Sequence, residues 1–337
     1  MAAASLKDVA RVAGVSVTTV SRFLNGSLDL PDRTRDLIES AIRDLNYAPN
    51  PHARRLSLGR SDTVGLVVPD IATPFFATLV AAVEAEADRR GLALALYATL
   101  NRQGRELGYL NAIHRNHVDG LIFVTNHPDD GTLAEAINRS GRVVLLDEDV
   151  PGTAVPKLFC DNAMGGYLAG RHLAEAGHRE VLFVGGVEEM ISGSRRFEGF
   201  HRAMTEAWGS AARTVRLTGD YSVGFGRTAG ERFMSDARSC TAIFTTSDEL
   251  TIGLLEVLRE NAVSVPRDVS VVGFDDVGPL HLFAPGITAI RQPVRELGAR
   301  ALALLLDTDP AAPADAPREE LLPVTLTERD PVAPPVR

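Results

Sequence analysis

Two periods of hydrophobic residues divide the chain. In roughly the first sixty residues, apolar side chains recur every three to four positions, which is typical of amphipathic helices. Beyond them, short apolar segments such as 63–70, 119–125 and 180–186 alternate with stretches of helical pattern. This alternation predicts strands and helices in turn, and therefore α/β domains in which helices cover both faces of parallel sheets.

The N-terminal part predicts three short helices. An apolar face over residues 6–13 predicts the first helix, and Gly14 allows the left-handed turn that ends it. Ser16 can cap a second helix two residues later, and a third helix is predicted over residues 33–45. Two short helices joined by a tight turn, followed by a third, are typical of a helix-turn-helix, whose second helix enters the major groove of DNA.

The polar face of the second predicted helix suits contacts with DNA. Arg22 can donate two hydrogen bonds to a guanine, and Val17 and Thr18 can contact a thymine methyl group. The side chains that suit phosphate contacts are Ser16, Ser21 and Asn25. Any small three-helix domain has comparable apolar stripes, so periodicity alone leaves a purely structural domain as the alternative.

Charge is divided unevenly along the chain. Residues 1–62 contain nine basic and seven acidic residues, a charge of +2, so the remainder carries −11 within the net charge of −9. Arg54, Arg55 and Arg60 fall in one stretch without an acid. The sign of this asymmetry fits an N-terminal DNA-binding part, but its size is too small to establish one.

Two N-terminal segments resemble a known family. The runs LKDVARVAGVSVTTVSRFLNG and TRDLIESAIRDLNYAPNPHARRLSLGRS are similar to the N-terminus of the LacI/GalR family of bacterial transcriptional regulators, and the similarity continues through the chain. The resemblance implies a helix-turn-helix DNA-binding domain over residues 1–48 and a hinge helix or linker over residues 49–61. The expected DNA-contacting set also includes Leu6, Thr34, Tyr47 and Arg54.

The resemblance gives the hinge a specific role. In the family, the hinge helix orders on DNA and inserts a leucine into the minor groove at the operator centre, and Leu56 matches that leucine. Asn50 can cap such a helix, and Ala53 shares a face with Leu56. A plain linker is the alternative interpretation.

Further segments resemble the landmarks of a type I periplasmic-binding-protein fold. They are DIATPFF, HVDGLI, DNAMGGYLAGRHL, RRFEGF, TAIFTTSDE and VPRDVSVVGFDD. The resemblance implies a core of two doubly wound parallel-sheet subdomains, between which the chain crosses near residues 161–163, 287–291 and 320–323. The expected boundaries are residues 62–161 and 291–320 for the N-subdomain, 162–290 and 321–330 for the C-subdomain, and 331–337 for a disordered tail.

Acidic residues end several of the predicted strands. Ligands of open α/β sheets bind beyond the carboxyl ends of the strands, and carboxylates suit a hydroxyl-rich ligand because each accepts several hydrogen bonds. Arg196 supplies a planar donor fork, and Phe75 and Tyr221 can stack on an apolar ligand face. For each aspartate, capping of the next helix is the alternative. With the positions that the resemblance implies, the expected effector-binding set is Asp70, Phe75, Asp147, Asp161, Ser192, Arg196, Tyr221, Asp248 and Asp275.

The residues and the resemblance together predict an effector-responsive transcriptional regulator, in the first place a repressor. It is expected to bind a pseudo-palindromic operator as a homodimer, because two-fold symmetry of protein and DNA must match. The expected effector is a mono- or oligosaccharide, phosphorylated or not, with a purine or nucleoside as the alternative. Relief of repression by the ligand is expected first, and co-repression is the alternative.

Other classes of function are disfavoured. No catalytic constellation points to an enzyme, and a transport-type sugar-binding protein would leave the N-terminal helices unexplained. Gly224, Gly226 and Ala229 fit a GxGxxG/A pattern in a late segment, so no cofactor is expected, and no metal either. Cys160 and Cys240 lie in apolar segments, which favours buried thiols and a cytoplasmic location, and no apolar run is long enough to predict a membrane span.

Overall fold

The structure is a computed structural model that describes residues 4–24, 28–47, 61–115, 117–307 and 319–335. The chain forms two compact units, residues 1–62 and 63–337. The helices of the first unit are α1 Leu6–Ala13, α2 Val17–Leu24 and α3 Asp32–Asp44. These bounds confirm the three helices that the hydrophobic period predicts.

Local hydrogen bonds fix both ends of α1. Ser5 N donates to Asp8 Oδ2 over 3.0 Å, and Asp8 N donates back to Ser5 Oγ over 3.4 Å, which forms a capping box. The helix ends at Gly14, whose φ of 68° lies in the left-handed region that glycine adopts without strain. The small core of this unit consists of Val9, Ala10, Ala13, Val20, Ile38 and Ala41.

The second unit is built on two six-stranded sheets. The strands of the first sheet are β1 Thr63–Val68, β2 Ala93–Ala98, β3 Leu121–Phe123, β4 Val143–Leu146, β5 Lys157–Cys160 and β11 Glu319–Leu322. The strands of the second sheet are β6 Glu180–Gly186, β7 Arg213–Gly219, β8 Ala242–Thr245, β9 Ser270–Asp275, β10 Thr288–Arg291 and β12 Thr325–Thr327.

The order of the strands is that of two doubly wound sheets. The first sheet has the order β11-β5-β4-β3-β1-β2, and its neighbouring strands pair in parallel. The second has the order β12-β10-β9-β8-β6-β7, in which β12 is antiparallel to β10 and the other pairs are parallel. Every residue of β4 and β8 is buried, as expected for strands covered on both faces.

Helices cover both sheets, which confirms the predicted α/β class. The helices of the first subdomain are α4 Pro74–Arg89, α5 Gln103–His114, α6 Thr132–Ser140 and α11 Val294–Asp307. Those of the second are α7 Asn162–Glu175, α8 Ile191–Trp208, α9 Val223–Ser235 and α10 Asp248–Glu260, with short 3₁₀ turns at Gly209–Ala211 and Pro279–Leu282.

Glycines bring α7 and α8 into backbone contact. A Cβ at Gly166 would overlap the carbonyl group of Arg196, and a Cβ at Gly199 would overlap the carbonyl oxygen of Ala163. The close approach fixes the position of α8 along α7, and with it the position of the Arg196 side chain. Of the two glycines that fit the GxGxxG/A pattern, Gly226 serves a similar purpose in α9, because a Cβ there would meet the backbone of α10.

The chain crosses between the two sheets three times. It passes to the second sheet after β5, returns between β10 and α11, and crosses again between β11 and β12. Two of the predicted boundaries are wrong by one or two residues. Arg291 still pairs with Asp275 in the second sheet, and residues 321–322 still pair with β5 in the first. Each crossing begins only after the last residue of the strand that pairs with its neighbour.

The predicted disordered tail is wrong for residues 331–335. Val271 N donates to the carbonyl oxygen of Pro331, and Ala333 N donates to Ser270 Oγ, both over 3.1 Å. Val332 packs against the main hydrophobic core. These contacts attach the segment to β9, which the composition of the tail, rich in proline and alanine, did not indicate.

Two smaller expectations concern the thiols and the membrane. Cys160 and Cys240 are free and buried, as expected. Within the described ranges, no helix combines the length and the apolar character that crossing a membrane requires.

Candidate effector cleft and DNA-binding helix

The exposed side of α2 carries the residues that were predicted to contact bases. Val17, Thr18 and Arg22 are exposed, whereas Val20 on the opposite face is fully buried. Ser16 caps the helix, because its Oγ accepts a hydrogen bond from Thr19 N over 3.0 Å. The side chain of Ser16 therefore stabilises the start of α2, and the side chains predicted to contact bases lie on the exposed face of the helix.

The other predicted DNA contacts are distributed less evenly. Ser21 and Thr34 are half-buried, and Leu6 and Tyr47 pack against the core of the first unit. Leu6 and Tyr47 therefore help to hold the helices together, whatever else they contact. The remaining predicted residues lie outside the described part of the chain: Asn25, Asn50, Ala53, Arg54 and Leu56.

A cleft lies between the two sheets of the second unit. Seven of the nine predicted effector-binding residues line it: Asp70, Phe75, Asp147, Ser192, Arg196, Tyr221 and Asp275. They follow strands of both sheets, so the carboxyl ends of the two sheets form the two walls. This is the place where open α/β sheets bind ligands.

Arg196 is held firmly at the bottom of the second wall. Its Nε donates to Asn162 Oδ1 over 2.8 Å, and its Nη1 donates to the carbonyl oxygen of Thr246 over 2.6 Å. The guanidinium carbon lies 3.9 Å from the centre of the Phe274 ring, and the residue is only 3% exposed. These contacts fix the plane of the donor fork and leave its other N–H groups for a ligand.

Two aspartates meet Arg196 in the cleft from opposite walls. Asp147 follows β4 with φ of 69°, and Asp275 ends β9 with φ of 79°. Left-handed backbone is uncommon outside glycine and collects at ligand sites, where the surrounding structure enforces it. Asp275 is fixed further by Gln292, whose Nε2 donates to Asp275 Oδ1 over 2.6 Å.

Burial controls the ionisation of the acidic side chains in the cleft. It raises the pKa of Asp147 to about 6, against the opposing effect of the Arg196 guanidinium. Burial and the neighbouring Asp147 carboxylate raise the pKa of Glu148 to about 8, and burial raises that of Glu249 to about 7. Burial therefore makes these three acids take up protons at a higher pH than ordinary carboxyl groups do.

Three buried oxygen atoms of the cleft have no hydrogen-bond donor among the described residues. They are Asp147 Oδ1, Glu249 Oε1 and Gln292 Oε1. A buried acceptor without a donor is uncommon in a folded protein, and an explanation such as a ligand or water is expected. The cleft is therefore ready to accept hydrogen bonds.

Two of the predicted effector-binding residues do not line the cleft. Asp161 caps α7, because its Oδ1 accepts a hydrogen bond from Met164 N over 2.9 Å. Asp248 Oδ2 accepts hydrogen bonds from Val277 N over 3.2 Å and from Gly278 N over 2.6 Å, so it supports the segment after β9. Both side chains accept backbone hydrogen bonds in this structure, and their contact with an effector stays a prediction.

Several residues that line the cleft were not among those predicted from the sequence. The polar ones are Thr73, Asn101, Asn126, Glu148, Ser247, Glu249 and Gln292, and Phe76 is the apolar one. Nearly all lie within a few residues of the carboxyl end of a strand. That position was a usable signal for Asn101 and Asn126, which follow predicted strands. It was not available for Gln292, because β10 was not predicted.

The chain is similar in sequence to known regulators. Residues 5–50 match the family model of bacterial regulatory proteins, lacI family, and residues 171–332 match that of a periplasmic binding protein-like domain. The chain is 34% identical over 332 residues to the HTH-type transcriptional repressor PurR of Pectobacterium carotovorum, an alignment that covers 98% of this chain and 97% of that repressor. The chain belongs to the lacI family.

Solved structures of lacI-family proteins agree with this membership. The lac repressor dimer bound to operator and the anti-inducer ONPF has a TM-score of 0.80 and 27% identity, and the match covers 98% of this chain and all of that one. A LacI family transcriptional regulator from Enterococcus faecium with bound ribose has a TM-score of 0.69 and 30% identity, over 81% of this chain and 99% of that one. This lacI-family chain is therefore a DNA-binding transcriptional regulator and not an enzyme.

Proposed function

We propose that this lacI-family regulator is a repressor that binds a pseudo-palindromic operator as a homodimer, and that a sugar-type ligand in the cleft controls its affinity for DNA. The observation that carries the ligand part is the meeting of Arg196, Asp147 and Asp275 in one cleft between two sheets. A fixed guanidinium beside carboxylates offers donors and acceptors together, which suits the adjacent hydroxyl groups of a sugar ring. The ribose bound to the similar Enterococcus faecium regulator supports this class of ligand.

The position of the cleft supports its role in control. One wall belongs to each sheet, so a ligand that contacts both walls favours the closed arrangement of the subdomains. A ligand changes DNA affinity only if it binds one arrangement better than the other. The hinge with Leu56, which lies outside the described residues, would transmit the change to the first unit. We expect the ligand to relieve repression.

The exposed face of α2 supports the DNA-binding part of the proposal. Val17, Thr18 and Arg22 combine a thymine-methyl contact with a guanine contact on one helix face. The similar lac repressor binds its operator as a dimer, which supports a two-fold arrangement here. Two copies of α2 would then read two half-sites about one helical turn of DNA apart.

The proposal is tested with the full chain and an operator obtained by in vitro selection. Fluorescence anisotropy measures DNA affinity with and without each member of a panel of sugars, sugar phosphates and nucleosides, and sedimentation measures the number of chains per operator. We expect two chains per operator and a weaker affinity with a sugar. A stronger affinity would reverse the sign of control, a response confined to nucleosides would replace the sugar, and one chain per operator would contradict the dimer.

A further inference from the structure

The side chains that line the cleft carry far more acid than base. The acidic ones are Asp70, Asp147, Glu148, Glu249 and Asp275, and Arg196 is the basic one among the described lining residues. The cleft therefore holds four more negative than positive groups when all are ionised. The net charge of the chain, −9, strengthens rather than offsets this field.

The guanidinium of Arg196 is poorly placed to hold an anion. Two of its N–H groups are committed to Asn162 Oδ1 and to the carbonyl oxygen of Thr246. Its charge is already shared with Asp147 and Asp275, since it opposes the rise in the pKa of both carboxyl groups that burial causes. A phosphate or carboxylate ligand would have to compete with these acids for one cation.

The helix N-termini at the cleft are also occupied. Such N-termini ordinarily bind anions, because their first backbone N–H groups have no partner within the helix. Here each one is capped by a protein oxygen. Thr73 Oγ1 accepts from the N-terminus of α4 over 3.4 Å, Glu148 Oε2 accepts from that of α8 over 3.3 Å, and Ser247 Oγ accepts from that of α10 over 3.2 Å. One backbone donor at each of these three N-termini is therefore already paired with a protein acceptor, which leaves fewer for a phosphate.

The polar atoms that lack a partner in the cleft are acceptors. Asp147 is 8% exposed and Gln292 is 5% exposed, and each has one buried oxygen without a donor among the described residues, as does the partly buried Glu249. The amide nitrogen of Gln292 donates to Asp275, which leaves its oxygen for the ligand. A ligand that satisfies these atoms must bring donors, and an ammonium group brings three donors together with a positive charge.

Resting on the proposed function, we infer that the effector is a hydroxylated ligand that carries a protonated amine and no phosphate or carboxylate group. Its hydroxyl groups bind Arg196 and Asp275, and its ammonium group binds one of the two cleft acids with a buried oxygen that lacks a donor among the described residues, Asp147 or Glu249. Burial raises the pKa of both acids, and an adjacent cation opposes that rise and favours their ionised forms. The cleft thus selects its ligand by charge as well as by shape.

The test compares matched ligands that differ in charge. Isothermal titration calorimetry at pH 7.5 measures the binding of glucose, galactose and mannose, of the corresponding 2-amino sugars, and of the corresponding 6-phosphates to the full chain. In at least one set, we expect the amino sugar to bind about tenfold more tightly than the neutral sugar, a difference of about 1.4 kcal/mol, and the 6-phosphate not to bind.

The outcomes separate this inference from the proposed function. A neutral sugar that binds as tightly as its amine, or a 6-phosphate that binds more tightly than its parent, overturns the inference and leaves a sugar-responsive regulator. No binding in any of the nine titrations overturns both the inference and the sugar part of the proposed function.

Two variants test which carboxylate of the cleft binds the ammonium group. Glu249→Gln removes one carboxylate of the cleft and keeps its size, so the ratio of amino-sugar affinity to neutral-sugar affinity should fall severalfold. Glu256→Gln is the matched control, because Glu256 lies on the same helix and pairs with Arg227 outside the cleft. A preference that survives in Glu249→Gln and in Asp147→Asn contradicts the assignment of the ammonium site.

Discussion

Ser192 donates two hydrogen bonds to Glu148 across the cleft, one from its backbone N–H to Oε2 over 3.3 Å and one from its hydroxyl group to Oε1. Ser192 lies in the first turn of α8 beside the second sheet, whereas Glu148 follows β4 of the first. The Ser192 hydroxyl group also lies 3.0 Å from that of Tyr221. The pair therefore joins the two subdomains at the ligand site itself, and a ligand that touches Tyr221 acts on this link.

Ser192→Ala should weaken the link without removing it. The backbone hydrogen bond remains, but the buried Glu148 loses one donor, so we expect a loss of about 1–3 kcal/mol in the free energy of unfolding. Urea denaturation measures the loss. Ser194→Ala is the control, because the Ser194 hydroxyl group bonds only to backbone carbonyls of its own helix. Equal losses in the two variants would show that the cross-cleft bond does not stabilise the core.

Arg196→Ala should abolish the response to ligand and preserve operator binding. It removes the donor fork and leaves Asp147 and Asp275 without their cation, so ligand affinity should fall about 100-fold or more, a cost of about 3 kcal/mol. Calorimetry measures ligand binding, and anisotropy measures operator binding. Arg202→Ala, which removes an exposed arginine of the same helix, should change neither. A normal ligand response in Arg196→Ala would remove this residue from the site.

Arg22→Ala should lower the discrimination between operator and unrelated DNA. Loss of a bidentate contact with guanine costs about 1–3 kcal/mol at one base pair, whereas loss of a phosphate contact weakens binding to all sequences alike. Arg43→Ala, on the exposed side of α3, provides the comparison. Anisotropy with operator and scrambled DNA at two salt concentrations separates the two effects. Equal loss on both DNAs in Arg22→Ala would contradict base recognition by this residue.

The stability of the ligand-free protein should fall as pH rises from 5 to 8. Burial raises the pKa of Glu148 from an ordinary value near 4.5 to about 8, so between these values the folded protein binds more protons than the unfolded chain. One such group contributes a slope of at most about −1.4 kcal/mol per pH unit to the free energy of unfolding. Below the ordinary value the contribution is constant.

Glu148→Gln identifies this contribution. The variant cannot lose a proton at this position, so its thermal midpoint should depend less on pH, and the gain over the parent protein should be largest near pH 8. Glu135→Gln, at an exposed position on α6, should keep the parent profile. A parent stability that rises between pH 5 and 8 would contradict the effect of burial on the cleft acids.

Gly199→Ala should destabilise the core and weaken ligand binding together. The new methyl group would overlap the backbone of α7, and separation of α7 from α8 would displace Arg196. Overpacking of this kind costs about 1–3 kcal/mol or more. Gly108→Ala in α5, where a Cβ meets no neighbouring atom, should instead stabilise the protein by about 1 kcal/mol. Urea denaturation compares the two, and stabilisation of both would contradict the backbone contact.

The sequence predicts the three helices of the first unit and strands β1 to β9, but not β10, β11 or β12. A helix such as α1 or a buried strand such as β1 is determined by the period of its own apolar residues, which can be read locally. The short strand β10 has only four residues, Thr288–Arg291, and its neighbours in the sheet rather than its own pattern define it. Because β10 was not predicted, Gln292 was not recognised as a residue at the end of a strand. For the same reason, one subdomain boundary was placed too early in the sequence.

The cleft is harder to predict because side-chain direction depends on the backbone of other segments. Asp147 follows the end of β4, and Asp248 begins α10 shortly after the end of β8. Of these two residues, Asp147 lines the cleft and Asp248 does not. A left-handed backbone places Asp147 there, whereas the backbone N–H groups of Val277 and Gly278 hold Asp248 aside. The local pattern of hydrophobic residues indicates neither the backbone conformation of Asp147 nor the hydrogen bonds of Asp248. Both depend on segments that meet only in the folded protein.

The three crossings make each lobe of the core discontinuous in sequence, whereas residues 1–62 form one uninterrupted segment. One recombination event near residue 62 could replace the N-terminal DNA-reading segment by that of another regulator. It would leave the described walls of the cleft intact. No single recombination point between the described elements can do the same for one lobe. For this architecture, one crossover near residue 62 can therefore pair a DNA-reading segment with a different complete core, whereas replacing one lobe of an existing core requires more than one crossover.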